Sequence, residues 1–161
     1  MTSAGANAVF LDTNVLVHAN VAEAPLHTSA LAAIEQRYVA GAELWVSRQV
    51  LREYVAVLSR PQSFSAPQPM STLIERVRYF SSRFRVADEG PEVTERLLAL
   101  LEQITVGGSK VHDANIVATM QANGIKQLLT DNVDDFARFS QLITVLPLGA
   151  RVPAAEEPRE R

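Results

Sequence analysis

The chain has 161 residues, no cysteine and a formal net charge of −3, with 47% hydrophobic and 20% charged residues. That length suits one domain with a substantial core, and the missing cysteines exclude a disulfide framework, a thiolate metal site and a cysteine nucleophile. No run approaches the ~18–20 apolar residues of a membrane span, and mild net acidity argues against binding polyanions by bulk charge.

In chain order, MTSAGAN (residues 1–7) is expected to be flexible and precedes a single domain over 8–148. The start has neither the basic residues nor the long apolar segment of a secretory signal, so a cytoplasmic location is expected. Ala8–Leu11 reads as a short, fully buried strand that meets an abrupt Asp12-Thr13-Asn14, where a helix begins. Pro25 opens a second helical pattern, with Leu26, Ala30, Leu31, Ile34 and Tyr38 at three- to four-residue spacing. Gly41 closes it as a left-handed C-cap. Residues 43–47, ELWVS, form the next strand, and Ser47 is the N-cap of the following helix. That helix has Val50, Leu51, Tyr54, Val55 and Leu58 on one face and stops at Pro61. PQSFSAPQPMS, with its three prolines, is a surface loop.

Thr72 with Glu75 three residues later resembles a capping box for a helix through about Arg83. RVA at 85–87 is a brief strand. Pro91 suits the first turn of a helix whose apolar face holds Val93, Leu97, Leu98, Leu101 and Ile104. VGGSK is a break, and a helix is expected over His112–Asn123, with Ile116, Val117 and Met120 inward and Gly124 closing it. KQLLT is a strand, DNVDDFARFS a turn with a short helix, ITVLPL the last strand, and 149–161 a polar, disordered tail.

Strands that alternate with helices predict an α/β fold with a mainly parallel sheet. Ligands of such sheets bind in the crevice at the carboxyl ends of the strands. Asp12, Glu53, Asp113 and Asp131, with Asp134 and Asp135 one turn on, all arrive at that edge from separate segments. Each has an ordinary explanation: Asp12 or Thr13 as a helix cap, Glu53 facing solvent, Asp113 as a dipole partner, Asp131 in an Asx-turn. Together they converge where the fold class puts a ligand. Gathered carboxylates repel one another, and burial raises the cost. A cation relieves both, and hard oxygen donors without cysteine or paired histidines favour Mg²⁺ or Mn²⁺ over zinc. An ion bridging such a pocket to a phosphodiester suggests hydrolysis of that bond.

Other features read more quietly. His112 is a helix-start residue, His18 and His27 are incidental, and Trp45 belongs to the core. GGSK lacks the G-x-x-x-x-G-K-[ST] spacing of a phosphate loop and reads as a hinge.

Three stretches, FLDTNVLVHA, VSRQVLREYVAVLSRP and KVHDANIVATMQANGIKQLLTDNVDDFARF, resemble in order and spacing the PIN-domain ribonucleases, and among them the VapC-type toxins of type II toxin–antitoxin pairs. The resemblance spans roughly Ala8 to Leu146 and implies a three-layer α/β/α domain. It matches Asp12, Glu53 and Asp113 to the family's metal-holding acids and makes Asn14 or Thr13 the polar helper beside them. The fourth acid is Asp131 or Asp135, because many such toxins have Thr-Arg-Asn where this chain has Thr130-Asp131-Asn132. The implied activity is a Mg²⁺- or Mn²⁺-dependent endoribonuclease acting on RNA, homodimeric, and inhibited by a cognate antitoxin whose C-terminal segment covers the site. Arg48, Arg52 and Lys110 would meet phosphates, with Arg76, Arg78, Arg83 and Arg85 as a wider track. Two other readings compete. One is a non-catalytic RNA- or protein-binding module; the other is an aspartyl-phosphate phosphatase, which wants a second Asp where this chain has Asn14.

Overall fold

Ala8–Leu11 form strand β1, and all four residues are buried. A strand covered on both faces by crossover helices reads as an unbroken apolar run, which is why AVFL shows no alternation. The computed structural model describes residues 3–149. β1 is followed by α1 (Thr13–Asn20), α2 (His27–Val39), β2 (Glu43–Ser47), α3 (Arg48–Leu58), α4 (Met70–Arg83) and β3 (Arg85–Ala87). Then come α5 (Pro91–Gln103), α6 (Lys110–Ala122), β4 (Gln127–Thr130), the short α7 (Val133–Phe136) with a 3₁₀ turn behind it, and β5 (Thr144–Pro147).

The five strands lie in the order β3-β2-β1-β4-β5, every pairing parallel. From β1 the chain steps outward to β2 and β3, then returns past β1 to β4 and β5. Right-handed crossovers in opposite directions put α1–α4 on one face and α5–α6 on the other. This is the expected three-layer α/β/α arrangement. The reversal falls between β1 and β4, and the crevice outside their carboxyl ends is the topological switch point. Phe10, Leu11, Leu16, Ile116, Met120, Leu128, Leu129, Phe136 and Phe139 are fully buried around the sheet, and the Tyr54 and Phe80 rings meet edge to face at 5.0 Å.

Several local expectations need correction. α2 starts at His27, two residues after Pro25, because Val21–Ala24 first closes a turn with Ala24 N–H on the Val21 carbonyl. Its end follows the expected pattern: Gly41 has φ 81°, its N–H reaches the Tyr38 carbonyl, and the Ala42 N–H reaches that of Arg37. Thr72 and Glu75 make no capping box, since α4 begins at Met70 with Pro69 as its cap and Thr72 already donates its N–H to the Pro69 carbonyl. On α5 the inward residue is Leu100 (4% exposed), whereas Leu98 is 49% exposed. One residue is about 100° of helix, so the true stripe of Val93, Leu97, Leu100, Leu101 and Ile104 leaves Leu98 beside it. α6 starts at Lys110, two residues earlier than expected, because Gly108 (φ 56°) turns the chain into it.

Ahead of β1, the Ala4 N–H donates to the Asn123 carbonyl and Asn7 Nδ2 to that of Gly41. Of the tail expected from 149 onward, all but Gly149 lies outside the described residues.

Candidate functional site: an acidic rim at the switch point

Asp12 is the residue at which β1 gives way to α1. Its backbone is extended (φ −71°, ψ 159°), and Oδ1 accepts the Thr13 N–H at 2.8 Å, so the helix-cap reading of this residue is correct. The same carboxylate does more. Oδ2 accepts from the Thr130 hydroxyl at 2.8 Å and from Asn14 Nδ2 at 3.0 Å. Asp12 is buried, at 5% exposure, and these partners are neutral. Burial pushes its carboxyl from the ordinary 3.8 up to about 6; the Thr130 and Thr13 bonds oppose that, and the Glu53 and Asp113 charges add to it.

Glu53 reaches the same place from α3, behind the cap that Ser47 Oγ provides to the Val50 N–H. Its Oε2 accepts from the Thr13 hydroxyl at 2.7 Å and its Oε1 from Gln49 Nε2 at 2.8 Å. Asp113 lies in the first turn of α6, where burial also raises its carboxyl, opposed by Lys110 and reinforced by Asp135 and Glu53. The three acids expected to act together therefore share one rim and one electrostatic field.

Their contact is looser than expected. Among the described residues, no three acidic or histidine side chains stand close enough to share one ion directly. The reason is visible in the hydrogen bonds: Thr13 and Gln49 hold both oxygens of Glu53, while Lys110 stands between Asp113 and Asp135.

Of the two polar residues after Asp12, Asn14 donates to Asp12 and the Thr13 hydroxyl to Glu53. Asn14 Nδ2 also donates to Thr130 Oγ1 at 3.2 Å, and Asn14 Oδ1 accepts the Asp131 N–H at 2.8 Å, so one amide ties the ends of β1 and β4 together. Asp131 turns toward α1: its Oδ2 lies 3.4 Å from His18 Nε2. Because His18 Nδ1 accepts the Leu26 N–H at 3.4 Å, the ring proton sits on Nε2 and is donated to Asp131. His18 is thus not incidental. It is buried, joins the loop after β4 to the turn before α2, and stacks against Phe64 of the proline-rich loop at 6.2 Å. His27 donates from Nδ1 to the His18 carbonyl at 2.9 Å, and His112 is exposed, its carbonyl accepting from Gln49. Asp134 is exposed, and Asp135 bonds Lys110.

Two contributors escaped the sequence reading. Gln49 is 4% exposed; its amide nitrogen spans Glu53 and the His112 carbonyl at 3.0 Å, and its oxygen accepts from Asn115 Nδ2 at 2.7 Å. It therefore joins α3 to α6 beneath two of the acids. Thr130 is the other, donating to Asp12 while accepting the Asn132 N–H at 3.0 Å. The available signal was position: Gln49 lies one turn before Glu53, and Thr130 ends a strand beside β1.

The basic residues do not make one surface. Arg48 and Arg52 stand near the rim but pair with Asp88 (3.0 Å) and Glu89 (3.5 Å). Arg76 and Arg83 instead line a groove of about 510 Å³ with Leu16, Asn20, Leu44 and Tyr79. Leu44, near the start of β2, puts that groove toward the amino side of the sheet. Arg85 lies over the Trp45 ring at 5.8 Å and 3.8 Å from Glu43, while Arg78 is exposed on α4. Trp45 itself is buried, as expected.

The donor chemistry of the rim fits a hard divalent cation. Its carboxylates and hydroxyls are all oxygen donors, and Asp12 is a buried acid whose charge its neutral partners do not balance.

A PIN domain family model matches residues 9–142. No curated protein matches the chain in sequence. Similar solved structures include a toxin–antitoxin complex from Klebsiella pneumoniae (21% identity, TM-score 0.63, 88% of this chain and 98% of that one). VapBC2 from Rickettsia felis bound to a DNA fragment from its promoter is similar too (22% identity, TM-score 0.62, 87% and 98%). So is VapC20 of Mycobacterium tuberculosis, a toxin that cleaves the sarcin–ricin loop (22% identity, TM-score 0.62, 86% and 99%). At these identities the likeness establishes a shared fold, and the family match over most of the sequence goes further. The chain belongs to the PIN domain family.

Proposed function

We propose that the protein is a metal-dependent endoribonuclease and the toxin of a toxin–antitoxin pair, its nuclease domain spanning 8–148. Asp12, Glu53 and Asp113 would hold Mg²⁺ or Mn²⁺, hard cations that favour oxygen donors and keep several waters of their own. The bound ion would polarise an RNA phosphodiester and lower the pKa of a bound water. The chain's own groups have simpler tasks. Thr13 and Gln49 aim Glu53, Thr130 and Asn14 aim Asp12, and the charge of Asp135 adds to the field at Asp113. Asp131 acts as the anchor of its loop through His18.

The observation that carries this reading is the buried Asp12 carboxylate at the switch point, neutrally solvated and facing two further acids. A buried acid without a balancing charge at that edge supports a ligand of opposite charge there. The toxin role draws on the similar structures, several of which are toxin–antitoxin complexes. In the cytoplasm the protein would be a homodimer with an antitoxin segment lying over the rim.

Incubating purified protein with RNA tests the enzyme. Cleavage should require added Mg²⁺ or Mn²⁺, cease with EDTA, and be lost in Asp12→Asn and Asp113→Asn while RNA binding persists. Cleavage that survives EDTA removes the metal role, and equal RNA processing by both variants removes the site. A small DNA-binding protein encoded next to this one would support the toxin role.

A further inference from the structure

Lys110 is the first residue of α6, delivered there by the turn at Gly108. Its ammonium donates to Asp135 Oδ1, contributed by α7, and lies 3.9 Å from Asp113 Oδ2, one turn along its own helix. The Lys110 and Asp135 side chains are both about two-thirds covered, and Asp113 more so. An ammonium has three donors and no lone pair, so it can neutralise carboxylates but never ligate a metal.

Paired ions in two-metal nucleases sit about 3.5–4 Å apart and share carboxylates between them. In this chain the side of Asp113 that faces Asp135 already holds a cation. A second dication there would have to displace Lys110 from Asp135 or sit against its charge. On the other side of Asp113, toward Glu53 and Asp12, the hydrogen-bond partners of the two acids are neutral.

Building on the metal-dependent reading above, we propose that Lys110 is the rim's resident second cation, which restricts the site to one divalent ion on the Asp12–Glu53–Asp113 side. Lys110 then belongs to the acid cluster and not to a phosphate-binding track, and Asp135 is its anchor.

Mn²⁺ titration of the full-length protein, with free ion followed by electron paramagnetic resonance, reads this without any assay of cleavage. Wild type should bind one ion per chain. Lys110→Met, which keeps the aliphatic stem and removes the charge, should bind two, and Lys110→Arg should return to one. The double variant Lys110→Met/Asp135→Asn should also bind one, because the second ion would have lost its ligand. Two ions on wild type, or one ion of unchanged affinity on Lys110→Met, overturn the inference and leave the metal-dependent reading intact. Two ions on Lys110→Arg likewise overturn it, since charge would not be the cause, and so does a second ion that persists in the double variant. No Mn²⁺ binding by folded wild type removes the underlying reading and this inference with it. Thermal unfolding of each variant establishes that the fold is retained.

Discussion

Asp12→Asn in the metal-free protein should change stability with a sign that depends on pH. In the folded state the Asp12 carboxyl rises from 3.8 to about 6, chiefly through burial. A folded pKa above the unfolded one means the native state binds the proton more tightly. The associated stability is therefore complete below pH 3.8, declines as pH rises, and is gone above about 6. At about 1.4 kcal/mol per pH unit, the gap between the two values corresponds to about 3 kcal/mol. Asparagine has the same shape and no charge to desolvate, so it escapes this term. It does place an amide nitrogen where Oδ2 accepted from Asn14 and Thr130. The hydroxyl can rotate, but the two amides then oppose donor to donor, costing about 1–2 kcal/mol. The net expectation is a variant about 1–2 kcal/mol more stable than wild type at pH 8 and less stable by a similar amount at pH 4. Urea unfolding in EDTA at the two pH values measures it. A stability difference that stays constant across this range would refute the claim that Asp12 is an uncompensated buried acid. Adding Mg²⁺ at pH 8 should then raise wild type through ligand linkage and leave Asp12→Asn unmoved.

Other perturbations separate support from packing. Gln49→Leu should cost about 2–3 kcal/mol, because Asn115 and the His112 carbonyl lose a buried partner; it should also slow RNA cleavage by freeing Glu53, whereas Gln49→Glu, which sets a second acid beside Glu53, should slow it further. His18→Phe keeps the stacking on Phe64 and removes the bond to Asp131; hydrogen exchange at the Asp131 and Asn132 amides should quicken, and unchanged protection would deny His18 its anchoring role. Leu100→Ala should lower stability by about 2–4 kcal/mol and Leu98→Ala by less than about 0.5, a contrast that chemical denaturation resolves easily. Ser47→Ala, removing the cap of the helix that carries Glu53, should cost about 1 kcal/mol in the same assay.

The α/β class and the succession of strands and helices along the chain were legible because they depend on local chemistry. AVFL has no polar residue to turn outward, Ser47 and Gly41 announce a helix start and a helix end, and Pro91 pre-sets a first turn. Asp12, Glu53 and Asp113 could be singled out because strand ends in a parallel sheet share one edge, so separation along the chain translates into proximity. Where local rules conflicted, the reading slipped. Thr72 and Glu75 have the letters of a capping box, yet Pro69 caps the helix three positions earlier, and Leu98 is as apolar as Leu100 but lies off the stripe.

What each acid does at the rim was decided only by packing. Spacing favours Asp131, which follows its strand directly, and the family resemblance favours Asp135, so the sequence does not rank them. The fold turns Asp131 to a histidine from α1 and gives Asp135 to Lys110. Gln49, Thr130 and His18 look like ordinary helix and strand residues in the sequence, because a hydrogen bond across 63, 118 or 113 positions leaves no local pattern. Hydrophobic periodicity and caps are properties of neighbouring residues and survive in one dimension. A carboxylate's charge state depends on burial and on donors brought in from other elements, and these exist only once the sheet has closed around them.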